Sequence, residues 1–117
     1  MKNNKSIYQA VVTDFDWTLV YEQKKINPKT KEAVIKYLKK GYPFIIVTGR
    51  PLFTLLPQVE EFGFTKYPSF HMSTYNGAAF TNGMTKKTIY SDQKVLPSEI
   101  YKIHEILNPL KINLLLY

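Results

Sequence analysis

Two carboxylates stand two positions apart in Val11-Val12-Thr13-Asp14-Phe15-Asp16-Trp17-Thr18-Leu19, where an apolar run gives way to a polar loop. A carboxylate so placed can attack phosphorus and form an acyl phosphate, which divides one hard displacement into two easier ones. Its neighbour can protonate the leaving oxygen and then activate water. Two acids together also present hard oxygen ligands to Mg2+. The spacing suits equally two solvated loop aspartates, or one acting as a helix cap, so the pair alone leaves the question open. Thr48-Gly49-Arg50 narrows it, because it too closes an apolar run, Phe44-Ile45-Ile46-Val47. A threonine hydroxyl and a glycine N–H can hold a phosphoryl oxygen, and an arginine can hold an anionic substrate.

The surrounding pattern says how these groups are positioned. Tyr8 to Thr13 reads as a strand buried on both faces. Asn27-Pro28 is a helix start, with Asn as N-cap and Pro at the first helical position. Ala33, Val34, Tyr37 and Leu38 follow at helical spacing, and Gly41 stops the helix. Pro43 to Thr48 is a second buried strand. A helix from about Pro51 to Phe62 follows, which Pro57 is expected to kink or divide. Ser69 to Ser73 is a third strand. The order strand, helix, strand, helix, strand predicts an α/β fold, a Rossmann-like parallel sheet with flanking helices and right-handed crossovers. In such sheets ligands bind at the carboxyl ends of the strands, where both motifs fall.

After Asn76-Gly77 the character changes. Ala78 to Phe80 and Thr88 to Tyr90 read as a hairpin turned at Asn82-Gly83. Pro97 to Leu107 reads as a helix, and Lys111 to Tyr117 as a strand. His71 and His104 fit packed or hydrogen-bonded positions better than metal ligands.

The ordered motifs carry a resemblance. Asp14-Phe15-Asp16-Trp17-Thr18-Leu19 and Thr48-Gly49-Arg50 resemble the first and second signature motifs of the haloacid dehalogenase superfamily, and Ser73-Thr74-Tyr75-Asn76-Gly77-Ala78 resembles the Asn-Gly-Ala segment of its Cof-type phosphatase branch. The resemblance implies a Mg2+-dependent phosphohydrolase of small phosphate esters such as sugar phosphates. Asp14 would be the nucleophile that becomes an aspartyl phosphate. Asp16 would be the general acid/base, with its backbone carbonyl on the metal beside the Asp14 carboxylate. Thr48 and Gly49 would contact the phosphoryl group, Arg50 and Asn76 the substrate. Thr18 would order the loop. Trp17 replaces the glycine most common at its place, a change at the site entrance. Residues 1–76 would be the N-terminal part of the core, and 77–117 the opening of an α+β cap.

The family's phosphate-neutralising lysine and its Gly-Asp-x-x-Asn-Asp type metal segment have no counterpart in a fitting context. The chain therefore resembles the first core segment and the start of the cap. In the family the first strand lies centrally, so here its outer edge is expected to be covered by a homo-oligomer or by a missing C-terminal segment. The rival expectation is a truncated or degenerate chain that folds, self-associates or binds anions without turnover.

Bulk properties exclude other classes. The 117 residues carry sixteen basic and nine acidic side chains, a net charge of +7, with lysines scattered and a single arginine. A nucleic-acid face needs cations and aromatics interleaved on one element, so nucleic acid is an unlikely partner. The chain has no cysteine, which excludes disulfides and thiolate metal sites and points to a reducing, cytoplasmic compartment. No apolar run reaches the roughly 18 residues of a membrane span. The basic stretch Met1 to Ser6 lacks a cleavable apolar sequel and does not read as a signal peptide.

Overall fold

A computed structural model describes residues 8–92 and 94–116. The expectations for Met1 to Ser6, and for Tyr117 at the end of the last expected strand, lie outside the described residues. Three parallel strands form the heart of the sheet: β1 (Val11–Asp14), β4 (Phe44–Val47) and β5 (Phe70–Thr74). Between the first two lie a short hairpin, β2 (Val20–Tyr21) and β3 (Lys25–Ile26), and helix α1 (Pro28–Lys39). Helix α2 (Leu52–Glu61) joins β4 to β5. The antiparallel strands β6 (Ala79–Asn82) and β7 (Thr88–Tyr90) then extend the sheet, giving the order β1-β4-β5-β6-β7. Sheet hydrogen bonding thus runs straight across residue 76.

Local chemistry sets the element ends. The Asn27 side chain accepts the Lys29 N–H at 2.9 Å, and Pro28 occupies the first helical position. This satisfies a donor that the helix itself cannot. Pro57 lies inside α2 without dividing it. The hairpin does not turn on two residues. Asn82 Oδ1 accepts both the Met84 and Thr85 N–H groups at 3.0 Å, and this side-chain cap builds a longer loop over residues 83–87.

The core lies on one face of the sheet. Val34 and Leu38 of α1 and Leu55 and Val59 of α2 pack with Phe44, Ile46, Phe70 and Met72. Phe62, Phe64 and Phe70 meet edge to face. Both crossovers progress in the same direction along the sheet, so right-handedness places both helices on the same side. The opposite face carries Val12, Val47, Phe80 and Ile89, which are 61%, 38%, 38% and 73% exposed. The sequence had suggested a first strand covered on both faces. Among the described residues it is covered on one, because no element packs on the other. Among the described residues β1 also pairs on one side only. Helix α3 (Pro97–Leu107) stands beyond β7 and buries none of its residues. Residues 112–116, expected as strand, join no ladder among the described residues, and without a partner an extended segment is not a strand.

Candidate active site

Parallel register brings Asp14, Val47 and Ser73 into one row at the carboxyl ends of β1, β4 and β5. The chain crosses the rim just beyond each. After Asp14, Phe15 is fully buried and Leu19 nearly so, which pins both ends of the intervening loop in the core. The Phe15 carbonyl accepts the Leu19 and Val20 N–H groups at 3.1 and 3.0 Å. Thr18, expected to order this loop, is exposed and makes no hydrogen bond through its hydroxyl among the described residues; the Phe15 carbonyl does that work.

Asp14 is exposed at the strand end. Its Oδ1 accepts the Phe15 N–H at 2.8 Å. Its Oδ2 has no hydrogen-bond partner among the described residues and is open to an electrophile. Asp16 is differently placed. Arg50 Nε and one terminal nitrogen each donate to a separate Asp16 oxygen at 2.6 Å, a forked, charge-assisted pair. The guanidinium carbon lies 5.4 Å from the centre of the Phe15 ring, so the fork is backed by an aromatic face. The hydrogen bonds from Arg50 hold the Asp16 carboxyl below its ordinary 3.8; partial burial opposes this, while the Arg50 and Lys24 charges add to it. The same hydrogen bonds push the Arg50 guanidinium up.

The second motif is folded around Thr48, which is 5% exposed. Its N–H donates to Ser73 O at 2.9 Å, and its hydroxyl oxygen accepts the Arg50 N–H at 3.1 Å. The Tyr75 and Asn76 N–H groups donate back to Arg50 O and Thr48 O at 3.1 and 3.2 Å. Tyr75 and Asn76 adopt left-handed φ values of 53° and 54° to do so. A Cβ at position 49 would lie 2.9 Å from Oδ1 of the exposed Asn76 side chain, so that side chain would have to swing aside. The structure therefore brings Asp14, Asp16, Thr48, Gly49, Arg50 and Asn76 to one rim. It turns Arg50 onto Asp16, where the sequence reading had it facing substrate.

A model of the haloacid dehalogenase-like hydrolases matches residues 11–117. The chain belongs to this family. A Haemophilus influenzae protein assigned as a phosphatase is 28% identical over 101 residues, covering 86% of this chain and 36% of that protein. Among solved structures, a haloacid dehalogenase-like hydrolase from Bacteroides thetaiotaomicron is 26% identical with a TM-score of 0.71, over 87% of this chain and 38% of its own. A sugar phosphatase of haloacid dehalogenase subclass IIB is 25% identical with a TM-score of 0.68, over 88% of this chain and 38% of its own. The chain thus spans little more than a third of the length of each.

Members of the family generally use Mg2+. The donors fit such an ion in kind: the Asp14 carboxylate and the Asp16 carbonyl are hard oxygens, and Mg2+ is commonly held by one or two carboxylates, waters and substrate phosphate. The Asp16 carboxylate is engaged by Arg50, and among the described residues no three His, Cys, Asp or Glu side chains cluster around a metal position.

Two features of this haloacid dehalogenase-like site escaped sequence reasoning. The Asp16–Arg50 fork joins residues far apart in sequence, and only the parallel register reveals it. Lys24 reads in the sequence as half of a solvated lysine doublet, yet its charge reaches Asp16. The reading of His71 as a hydrogen-bonded residue fits the geometry, whereas His104 is exposed on α3 and not packed as expected. Asn82 Nδ2 can only donate, so His71 Nε2 accepts at 3.1 Å and its Nδ1–H faces Ser69 O at 3.2 Å.

Proposed function

We propose that this chain carries the nucleophile-bearing part of a phosphohydrolase site for small phosphate monoesters, with sugar phosphates as the favoured class. One observation carries the reading: Asp14 ends a parallel strand with one carboxylate oxygen unengaged, beside the Thr48-Gly49 turn. The sugar phosphatase among the similar structures supports the substrate class.

In this mechanism Asp14 Oδ2 attacks phosphorus as the bond to the leaving oxygen breaks, giving an aspartyl phosphate. Asp16 gives a proton to the leaving oxygen, then takes one from the water that attacks the phosphoryl group. That second attack releases inorganic phosphate and restores the Asp14 carboxylate. Thr48 and the Gly49 N–H hold phosphoryl oxygens, and Asn76 contacts the substrate. A bound Mg2+ would neutralise phosphoryl charge, held by the Asp14 carboxylate and the Asp16 carbonyl. The Arg50 fork keeps Asp16 ionised, so acid catalysis requires that fork to loosen. A phosphoryl dianion competes with the carboxylate for the same guanidinium, which gives Arg50 its substrate-side role.

We place the core from β1 through the Asn76 turn and the opening of the cap after it. The absence of cysteine supports a cytoplasmic location, and no helix among the described residues is long and apolar enough to cross a membrane. The deciding experiment measures Mg2+-dependent hydrolysis of an aryl phosphate by the chain and by the whole polypeptide of a relative, each with and without its Asp14→Asn equivalent. Equal rates with and without the substitution would remove Asp14 from the chemistry.

A second reading, a chain that folds and self-associates or binds anions without turnover, is favoured by the open β1 edge and the two-donor metal position. It expects phosphate binding with no hydrolysis by the chain alone.

A further inference from the structure

Trp17 follows Asp16 directly, and nothing in the phosphoryl chemistry accounts for it. Its backbone sits at φ 59°, in the left-handed region. Its side chain is 79% exposed, more than any other large apolar side chain among the described residues. Both facts run against its presence. Left-handed backbone is unfavourable for an L-residue, a penalty glycine escapes. An indole left in water forgoes the burial that ordinarily rewards so large a ring. Loop stability does not require the indole, because the ends are fixed by buried Phe15 and Leu19 and by the two hydrogen bonds to the Phe15 carbonyl. A flat, electron-rich surface therefore stands exposed on the loop that also carries Asp16. Its Cα lies one peptide, about 3.8 Å, from that of Asp16.

We propose that Trp17 is a platform for the leaving group, selecting phosphate esters whose organic part presents a ring. The C–H face of a sugar ring, or an aromatic face, lies flat against the negative face of the indole. An open-chain polyol has no such face and must lose more internal rotation to present one. The inference rests on the phosphohydrolase reading above and specifies the substrate class of that site.

Trp17 is the only tryptophan in the chain, so its emission reports on the platform without turnover. The test titrates the full 117-residue chain, with Mg2+ present, against glucose 6-phosphate, sorbitol 6-phosphate and inorganic phosphate. Binding is followed by Trp17 fluorescence and by calorimetry. The expected result is about tenfold tighter binding of the ring ester than of the open-chain ester, with an emission shift for the ring ester alone. Trp17→Gly, which suits the backbone, should bind inorganic phosphate unchanged, lose the ring preference and melt no lower than the parent. Trp17→Phe should keep most of the preference. Equal binding of the two esters, or ring binding that leaves the emission unmoved, overturns the platform while leaving the phosphate site standing. A lower melting temperature for Trp17→Gly overturns it in favour of packing. Failure to bind any of the three ligands removes the phosphohydrolase reading and the platform with it.

Discussion

Arg50 meets Asp16 edge-on across thirty-four positions of sequence, with two contacts of 2.6 Å. The Asp16 side chain is 40% exposed and that of Arg50 21%, so water and salt screen the pair, and its contribution to stability is below about 1 kcal/mol. Its effect on ionisation has a definite sign. The folded-state pKa of Asp16 is depressed, so the stability it lends is fully present above the ordinary 3.8 and is lost as pH falls through the lower folded value. Melting of the parent and of Asp16→Asn should differ by a constant amount at neutral pH, and the two should converge in acid. A difference that persists unchanged through the acid range would contradict the pair.

Replacing Arg50 separates its two roles. Arg50→Lys keeps the charge but not the fork. If the fork orients Asp16, kcat of the active whole polypeptide falls about tenfold or more while KM stays near its parent value. A rise in KM with kcat unchanged would assign Arg50 to substrate binding alone.

Asp14→Asn should leave the fold intact, because Asn Oδ1 can still accept the Phe15 N–H and the side chain is exposed. Melting should shift by less than about 0.5 kcal/mol equivalent. Turnover should fall by about a thousandfold or more, since an amide cannot replace the carboxylate nucleophile.

Gly49→Ala should cost less than about 1 kcal/mol, since the added Cβ meets only the tip of the exposed Asn76 side chain, which can swing aside. Any such loss should vanish in an Asn76→Ala background, which carries its own cost because alanine suits the left-handed φ of 54° less well than asparagine. Simple additivity in a double-mutant cycle on denaturant unfolding would show that the two residues do not touch.

The Val12 side chain is 61% exposed on a strand whose outer edge pairs with nothing among the described residues. V12K should weaken self-association measured by sedimentation, because a charge there discourages edge pairing. Unchanged sedimentation across concentration would place any contact elsewhere.

Local signals were legible where they are local in origin. Asn27-Pro28 gave the start of α1, and the β-branched runs gave the parallel strands, because capping and side-chain alternation act over a few residues. The placement of Asp14 and of the Thr48 turn at strand ends was legible from the apolar runs that precede them. The Asp16–Arg50 fork was not, since it depends on the register of β1 against β4. The loop after Asn82 was misread as a tight turn because Asn-Gly suits a two-residue hairpin, and only the side-chain bonds to Met84 and Thr85 show the longer one. The expected last strand failed for a reason outside its own sequence: a strand is a property of two segments, and its pattern names only one.

The two N–H groups gathered by the Phe15 carbonyl have an evolutionary consequence. They fix the loop through main-chain atoms, so no side chain at positions 17 and 18 is needed to hold it, although the left-handed backbone at 17 favours glycine. Those positions can drift while Asp14 and Asp16 keep their places. On the proposed reading, substrate preference can then diverge among descendants of one ancestor by single replacements beside Asp14, with the chemistry inherited unchanged.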